Sequence, residues 1–117
     1  MEHLRIDGYL VGRVLAIKQG LYQRRVHTYG SIIVVLATDM PLTHTQINRL
    51  CRRAALGLGR VGSYGAHSSG EIIVGFSIAN TVPRITPEPL IQINMIPDTY
   101  LDPAYKSVIE ATEEAIL

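Results

Sequence analysis

The apolar run Ile32-Ile33-Val34-Val35-Leu36-Ala37 constrains this chain more than any other stretch. It lacks period-2 alternation and is rich in β-branched residues. It therefore predicts a strand buried on both faces, and it is too short to cross a membrane. Gly30 and Ser31 stand directly ahead of it. The serine is thereby held at the mouth of a rigid strand, and the glycine leaves the peptide bond between them unshielded by any side chain. That pairing suits a serine that attacks its own preceding carbonyl, cuts the chain and is released as a new N-terminal residue. Such a residue carries its own base, because a free α-amine, with a pKa of about 7.7–8.0, lies within reach of its hydroxyl. Spacing alone leaves open the commoner alternative, an ordinary serine at a loop-to-strand junction.

A length of 117 residues bounds the chain to one domain at most. Apolar residues make up 47% and the net charge is +1, which excludes a disordered chain and offers no electrostatic argument for nucleic acid or an anionic membrane as partner. Cys51 is the single cysteine, so no internal disulfide can form. The opening residues, Met-Glu-His-Leu-Arg-Ile-Asp-Gly, show no basic segment followed by a long apolar one. No signal peptide is expected, and a cytoplasmic location is the default. His, Cys and carboxylates do not cluster at ligand spacing, so no metal or other cofactor is implied.

Taken in order, residues 4–15 alternate around Asp7-Gly8, a strong signal for a hairpin with a two-residue turn. Residues 16–30 have weak periodicity and read as a partly ordered loop. After the central strand, Thr43 and Gln46 form a capping-box pattern, and Ile47, Leu50, Cys51, Ala54, Ala55 and Leu58 make one helical stripe. The opposite face carries Asn48, Arg49, Arg52 and Arg53, read as a solvated face or a partner contact. Gly57-Leu58-Gly59-Arg60-Val61-Gly62 spells GxGxxG, but it closes a helix instead of opening one. A dinucleotide site is therefore rejected, and Gly59 reads as a helix C-cap. A second strand is expected over 71–79, an extended connection over 81–100 with an edge strand at 90–96, and a last helix from Asp102 as cap with Pro103 in its first turn.

Ser69 and Glu71 are two apart at the mouth of the second strand, so in extended backbone they project to the same face. A carboxylate there is either a solvated strand edge or a functional group, and spacing does not choose. His67, in the same glycine-rich loop, reads as incidental.

The segments GSIIVVLATDMPLTHTQINRLCRRAALGLGRVGS, HSSGEIIVGFSIAN and LDPAYKSVIEATEEAIL, with LRIDGYLVGRVL upstream, resemble the self-processing L-aminopeptidase/D-esterase-amidase (DmpA-like) family, which includes the β-peptidyl aminopeptidases. The resemblance implies an α+β chain, a fragment of a layered αββα sandwich of the DmpA/ornithine-acetyltransferase-like type. Residues 1–117 would be a single partial domain, with 1–30 the end of an alpha-subunit-like segment and 31–117 a beta-subunit-like segment. It places the self-cleavage at Gly30–Ser31 and makes Ser31 the nucleophile. Ser69 would hydrogen-bond the Ser31 amine or hydroxyl, and Glu71 would stabilise an ammonium group.

The implied activity is hydrolysis at the N-terminal residue of a small peptide, amide or ester. The family's N-terminal half and its oxyanion asparagine, expected just before Leu4, are not matched, since residues 1–3 are Met-Glu-His. Losing such a donor removes about 2.7–4 kcal/mol of transition-state stabilisation. The expected partner is therefore an N-terminal chain or further copies of this one. The alternative class is a non-catalytic, truncated homologue serving as an assembly or interaction module. An acetyltransferase of similar fold is less compatible, because those enzymes use a threonine in a different motif.

Overall fold

The computed structural model describes residues 2–21 and 30–117. In chain order it forms α1 (Val11–Lys18), β1 (Ile32–Thr38), α2 (His44–Arg60), β2 (Glu71–Ser77), a 3-10 turn at Asp98–Tyr100 and α3 (Asp102–Glu114). β1 and β2 pair in parallel, with Ile32 opposite Glu71 and Thr38 opposite Ser77. Parallel neighbours need a crossover connection, and α2 provides it.

The Asp7-Gly8 signal gives the turn but not the hairpin. Both residues have positive φ (+50° and +78°), and Ile6 and Tyr9 exchange backbone hydrogen bonds of 3.1 and 3.0 Å. The expected second arm is instead α1. Leu10, Val11, Val14 and Leu15 fit a helical stripe as well as an alternating one, and a lone two-stranded hairpin is marginal in water. The expected loop over 16–30 is thus corrected at its start, which is helical to Lys18; residues 22–29 lie outside the described residues.

α2 begins as the capping box requires. The Gln46 amide donates to Thr43 Oγ1 at 3.3 Å, and the Thr43 amide donates to Gln46 Oε1 at 3.0 Å. Gln46 is itself buried, so its remaining donors need partners. Nε2 finds them in the Ile96 carbonyl at 2.7 Å and Asp98 Oδ1 at 2.8 Å. Arg49 donates to Asp98 Oδ2 at 2.6 Å, and Arg53 lies 4.0 Å from the Tyr105 ring centroid. Hydrogen bonds from Gln46 and then Arg49 hold the Asp98 carboxyl below its usual range, and Asp98 in turn raises Arg49. The basic face of α2 is therefore engaged with this chain's own C-terminal segments at Arg49 and Arg53.

Helix α2 continues through Gly59 to Arg60, so Gly59 is not the cap. Gly62, at φ +102°, is the left-handed residue, and its α-carbon lies against the His3 backbone. Asp102 likewise is the first helical residue and not the cap, which is Leu101. Cys51 is buried, as its place in the stripe predicts, and burial pushes its thiol up.

Leu42, Leu50, Ala54, Leu101, Ala104 and Val108 form the core, with Val34, Leu36 and Ile73 of the strands packed against it. Fully burying one such leucine contributes about 1.5–3 kcal/mol. The sheet presses closely onto α2: a β-carbon on Gly75 would meet Cys51 Sγ at 2.5 Å and Ile47 Cγ2 at 2.7 Å.

Burial on both faces of the strands is not found among the described residues. Ile33, Val35, Ile72, Val74 and Phe76 point away from the helices, with Ile33 69% and Ile72 58% exposed. Helices cover only one side here, whereas parallel strands normally have both sides covered. The edge strand expected at 90–96 is also absent from the described residues. This stretch has no regular secondary structure and is tied to Asn80, whose side-chain amide both donates to the Asn94 carbonyl and accepts from its N–H, each at 2.9 Å.

Two glycines of α2 separate packing from propensity. A β-carbon at Gly57 would meet the Ile109 carbonyl and Thr112 Cβ at 2.7 Å, whereas one at Gly59 meets nothing within 4 Å among the described residues. Gly59→Ala should stabilise by about 0.5–1 kcal/mol. Gly57→Ala has the same propensity gain but forces α2 from α3, so it should lie about 1–3 kcal/mol below Gly59→Ala. Urea unfolding midpoints measure the difference, and equal midpoints would contradict the close helix contact.

Candidate active site

Because β1 and β2 run in parallel, the residues that precede them emerge at the same end of the sheet. With Ile32 opposite Glu71, Ser31 comes beside Gly70 and Gly30 beside Ser69. An antiparallel pair of seven-residue strands would instead hold the starts of the two strands about 20 Å apart, at about 3.3 Å per residue.

The contacts at this end are specific. Ser69 Oγ lies 3.0 Å from the Gly30 carbonyl oxygen and 2.8 Å from Glu71 Oε1. Its one hydroxyl proton thus has two acceptors in reach when Glu71 is ionised. The Gly70 N–H donates to Ser31 Oγ at 3.2 Å, and the Gly70 carbonyl accepts from the Ile32 N–H, also at 3.2 Å. The Gly30–Ser31 peptide bond is therefore flanked by a hydroxyl on its carbonyl oxygen and an amide on the following hydroxyl. A β-carbon at Gly30 would meet nothing within 4 Å among the described residues.

Ser31, Ser69 and Glu71 are thus brought together: Ser69 lies two residues ahead of β2, and its side chain meets that of Glu71, the first residue of the strand. The partner of Ser69 differs in detail from the sequence expectation: in the uncut chain it reaches the Gly30 carbonyl, while the Ser31 hydroxyl takes its hydrogen bond from Gly70. Glu71 is exposed and partnered by Ser69, so it carries no burial penalty. His67 sits in an exposed turn closed by the Ser69 N–H on the Ala66 carbonyl at 2.8 Å. Gly70 was not singled out by sequence reasoning, since a backbone donor has no side-chain signature. Among the described residues no three His, Cys, Asp or Glu are grouped to hold a metal ion. No helix among them is long and apolar enough to cross a membrane.

The model of peptidase family S58 matches residues 1–117. The chain belongs to that family. It is 39% identical to the β-peptidyl aminopeptidase BapA of Sphingosinicella microcystinivorans, over 97% of this chain and 31% of that protein. Against BapA of Sphingosinicella xenopeptidilytica it is 38% identical, over 75% of this chain and 22% of the relative. Among solved structures, the L-aminopeptidase D-Ala-esterase/amidase of Ochrobactrum anthropi superposes with a TM-score of 0.84 at 40% identity. That match covers 98% of this chain and 30% of the other, which is described as a prototype for the serine aminopeptidases and a variant of the Ntn hydrolase fold. A Burkholderia sp. β-aminopeptidase gives 0.79 at 36% identity, over 98% and 32%.

The fold is therefore α+β, a fragment of the Ntn-hydrolase variant found in DmpA-type enzymes. The chain spans about a third of the length of these relatives.

Proposed function

We propose that this chain carries the nucleophile half of a serine aminopeptidase that makes its own active site by cutting at Gly30–Ser31. The observation that carries the reading is the pair of contacts straddling that bond, Ser69 Oγ on the Gly30 carbonyl and the Gly70 N–H on Ser31 Oγ. Ser31 Oγ attacks the Gly30 carbonyl carbon; the C–N bond breaks as a C–O ester forms, and the hydroxyl proton passes to the departing amine. Water then hydrolyses the ester, leaving a Gly30 carboxylate and Ser31 as a free N-terminus. During the attack, negative charge develops on the carbonyl oxygen, 3.0 Å from Ser69 Oγ, and draws to it the one hydroxyl proton that Glu71 Oε1 also has in reach. One such donor is worth roughly 10²–10³ in rate. Ser69 thus offers the first step a hydroxyl donor beside the Gly30 carbonyl.

In turnover the freed amine takes the Ser31 hydroxyl proton as Oγ attacks the substrate carbonyl, then returns it to the leaving amine. The substrate class is a small peptide, amide or ester with a free N-terminus, as the names of the relatives suggest. Glu71 favours the transient ammonium, so its help is greatest in the transition state.

Mass spectrometry tests the reading. The wild-type protein should give two fragments meeting at Gly30–Ser31, and Ser31→Ala a single intact chain; an uncut wild type would contradict it. In an active preparation, Glu71→Gln should lower kcat with little change in KM.

The open sheet face supports a second part of the proposal. The apolar side chains at 33, 35, 72, 74 and 76 are to be covered by an N-terminal chain of the kind the longer relatives contain, or by another copy of this one. Exposed patches beyond a few hundred Å2 tend to associate. Light scattering should report a complex or oligomer at micromolar concentration, and a stable monomer would refute it. A non-catalytic assembly module would also associate, but it would not cut itself.

A further inference from the structure

We infer that the Gly70 peptide unit is a positioning element for the nucleophile, acting through its backbone N–H and not through the freedom of a glycine. This rests on the reading of Ser31 as the cutting residue. Two bonds from one residue bracket Ser31: the Gly70 N–H to Oγ and the Gly70 carbonyl from the Ile32 N–H, both 3.2 Å. The first fixes the side-chain rotamer and the second fixes the backbone that carries it. Rotation of the hydroxyl away from Gly70 would break the first bond, so the oxygen is held in one place relative to the Gly30 carbonyl.

The same N–H gains strength as the hydroxyl loses its proton, because hydrogen bonds to an ionised acceptor are about twice as strong as neutral ones. It therefore favours the alkoxide-like oxygen that attacks, while leaving the hydroxyl proton free to depart. Glycine itself is not demanded by conformation. Gly70 is not among the positive-φ residues, and among the described residues a β-carbon there would touch only Ser31 Oγ, at an ordinary 3.8 Å. A side chain is tolerable at this position, whereas loss of the N–H is not.

The test compares Gly70→Ala with a semisynthetic full chain in which glycolic acid replaces glycine at position 70. The ester keeps the shape and the Gly70 carbonyl but has no N–H. Gly70→Ala keeps the N–H and should cut at Gly30–Ser31 at least tenfold faster than the ester chain. The ester chain should cut at least tenfold more slowly than wild type, a single lost donor being worth roughly 10²–10³ at most. An ester chain that is folded by circular dichroism and cuts at the wild-type rate overturns the inference while leaving Ser31 as nucleophile. An uncut wild type overturns both.

Should the ester fail to fold, amide exchange in the natural backbone decides. Ser31→Ala should speed exchange of the Gly70 N–H at least tenfold while Val34 and Val35 exchange as before. Unchanged exchange at Gly70 would overturn the inference.

Discussion

The parallel register of β1 on β2 is the constraint on which the rest depends. Ser31 and the Ser69-Gly70-Glu71 group are 38 to 40 positions apart in the chain and meet only because both strands start at the same end. The meeting point is the N-terminal edge of the sheet. Open α/β sheets usually bind ligands at the opposite, carboxyl ends of their strands, at a topological switch point. Under the proposed function the N-terminal edge is used because the reactive serine directly precedes a strand, and a cut just before it would leave the strand intact.

The packing that supports this register centres on the crossover helix α2. Gly75 lets β2 sit directly on Ile47 and Cys51 of α2, and Gly57 lets α3 sit directly on the next turns of the same helix. At its N-terminus α2 is tied by Gln46, whose side chain closes the capping box and also reaches Ile96 and Asp98. The helix is thus held at its start by polar contacts and along its length by close approach. Both strands inherit that placement through Val34, Leu36 and Ile73. The other sheet face stays apolar and open, in a chain spanning about a third of its relatives.

Local chemistry made much of this legible in the sequence. The β-branched run announced β1, Thr43 and Gln46 announced the start of α2, and two-residue spacing put Ser69 within reach of Glu71. The roles of Ser69 and Glu71 came from family resemblance, since spacing left Glu71 undecided. What stayed hidden was long-range or carried by backbone. No local pattern states that 32 pairs with 71. The GxGxxG string closes α2, as read from the sequence, yet that its glycines serve helix packing at 57 and termination at 62 is revealed only by the folded neighbours. Residues 10–15 satisfied two periodicities at once, and the helix won.

The central claim is that Ser31, not Ser69, is the nucleophile, although the two serines are adjacent in space. Covalent labelling with a serine-directed phosphonate, followed by peptide mapping, tests it most directly. The account predicts one adduct, on the peptide that begins at Ser31, and none when the Gly30–Ser31 bond is left uncut. An adduct on Ser69, or labelling of the intact chain at the same rate, would contradict it.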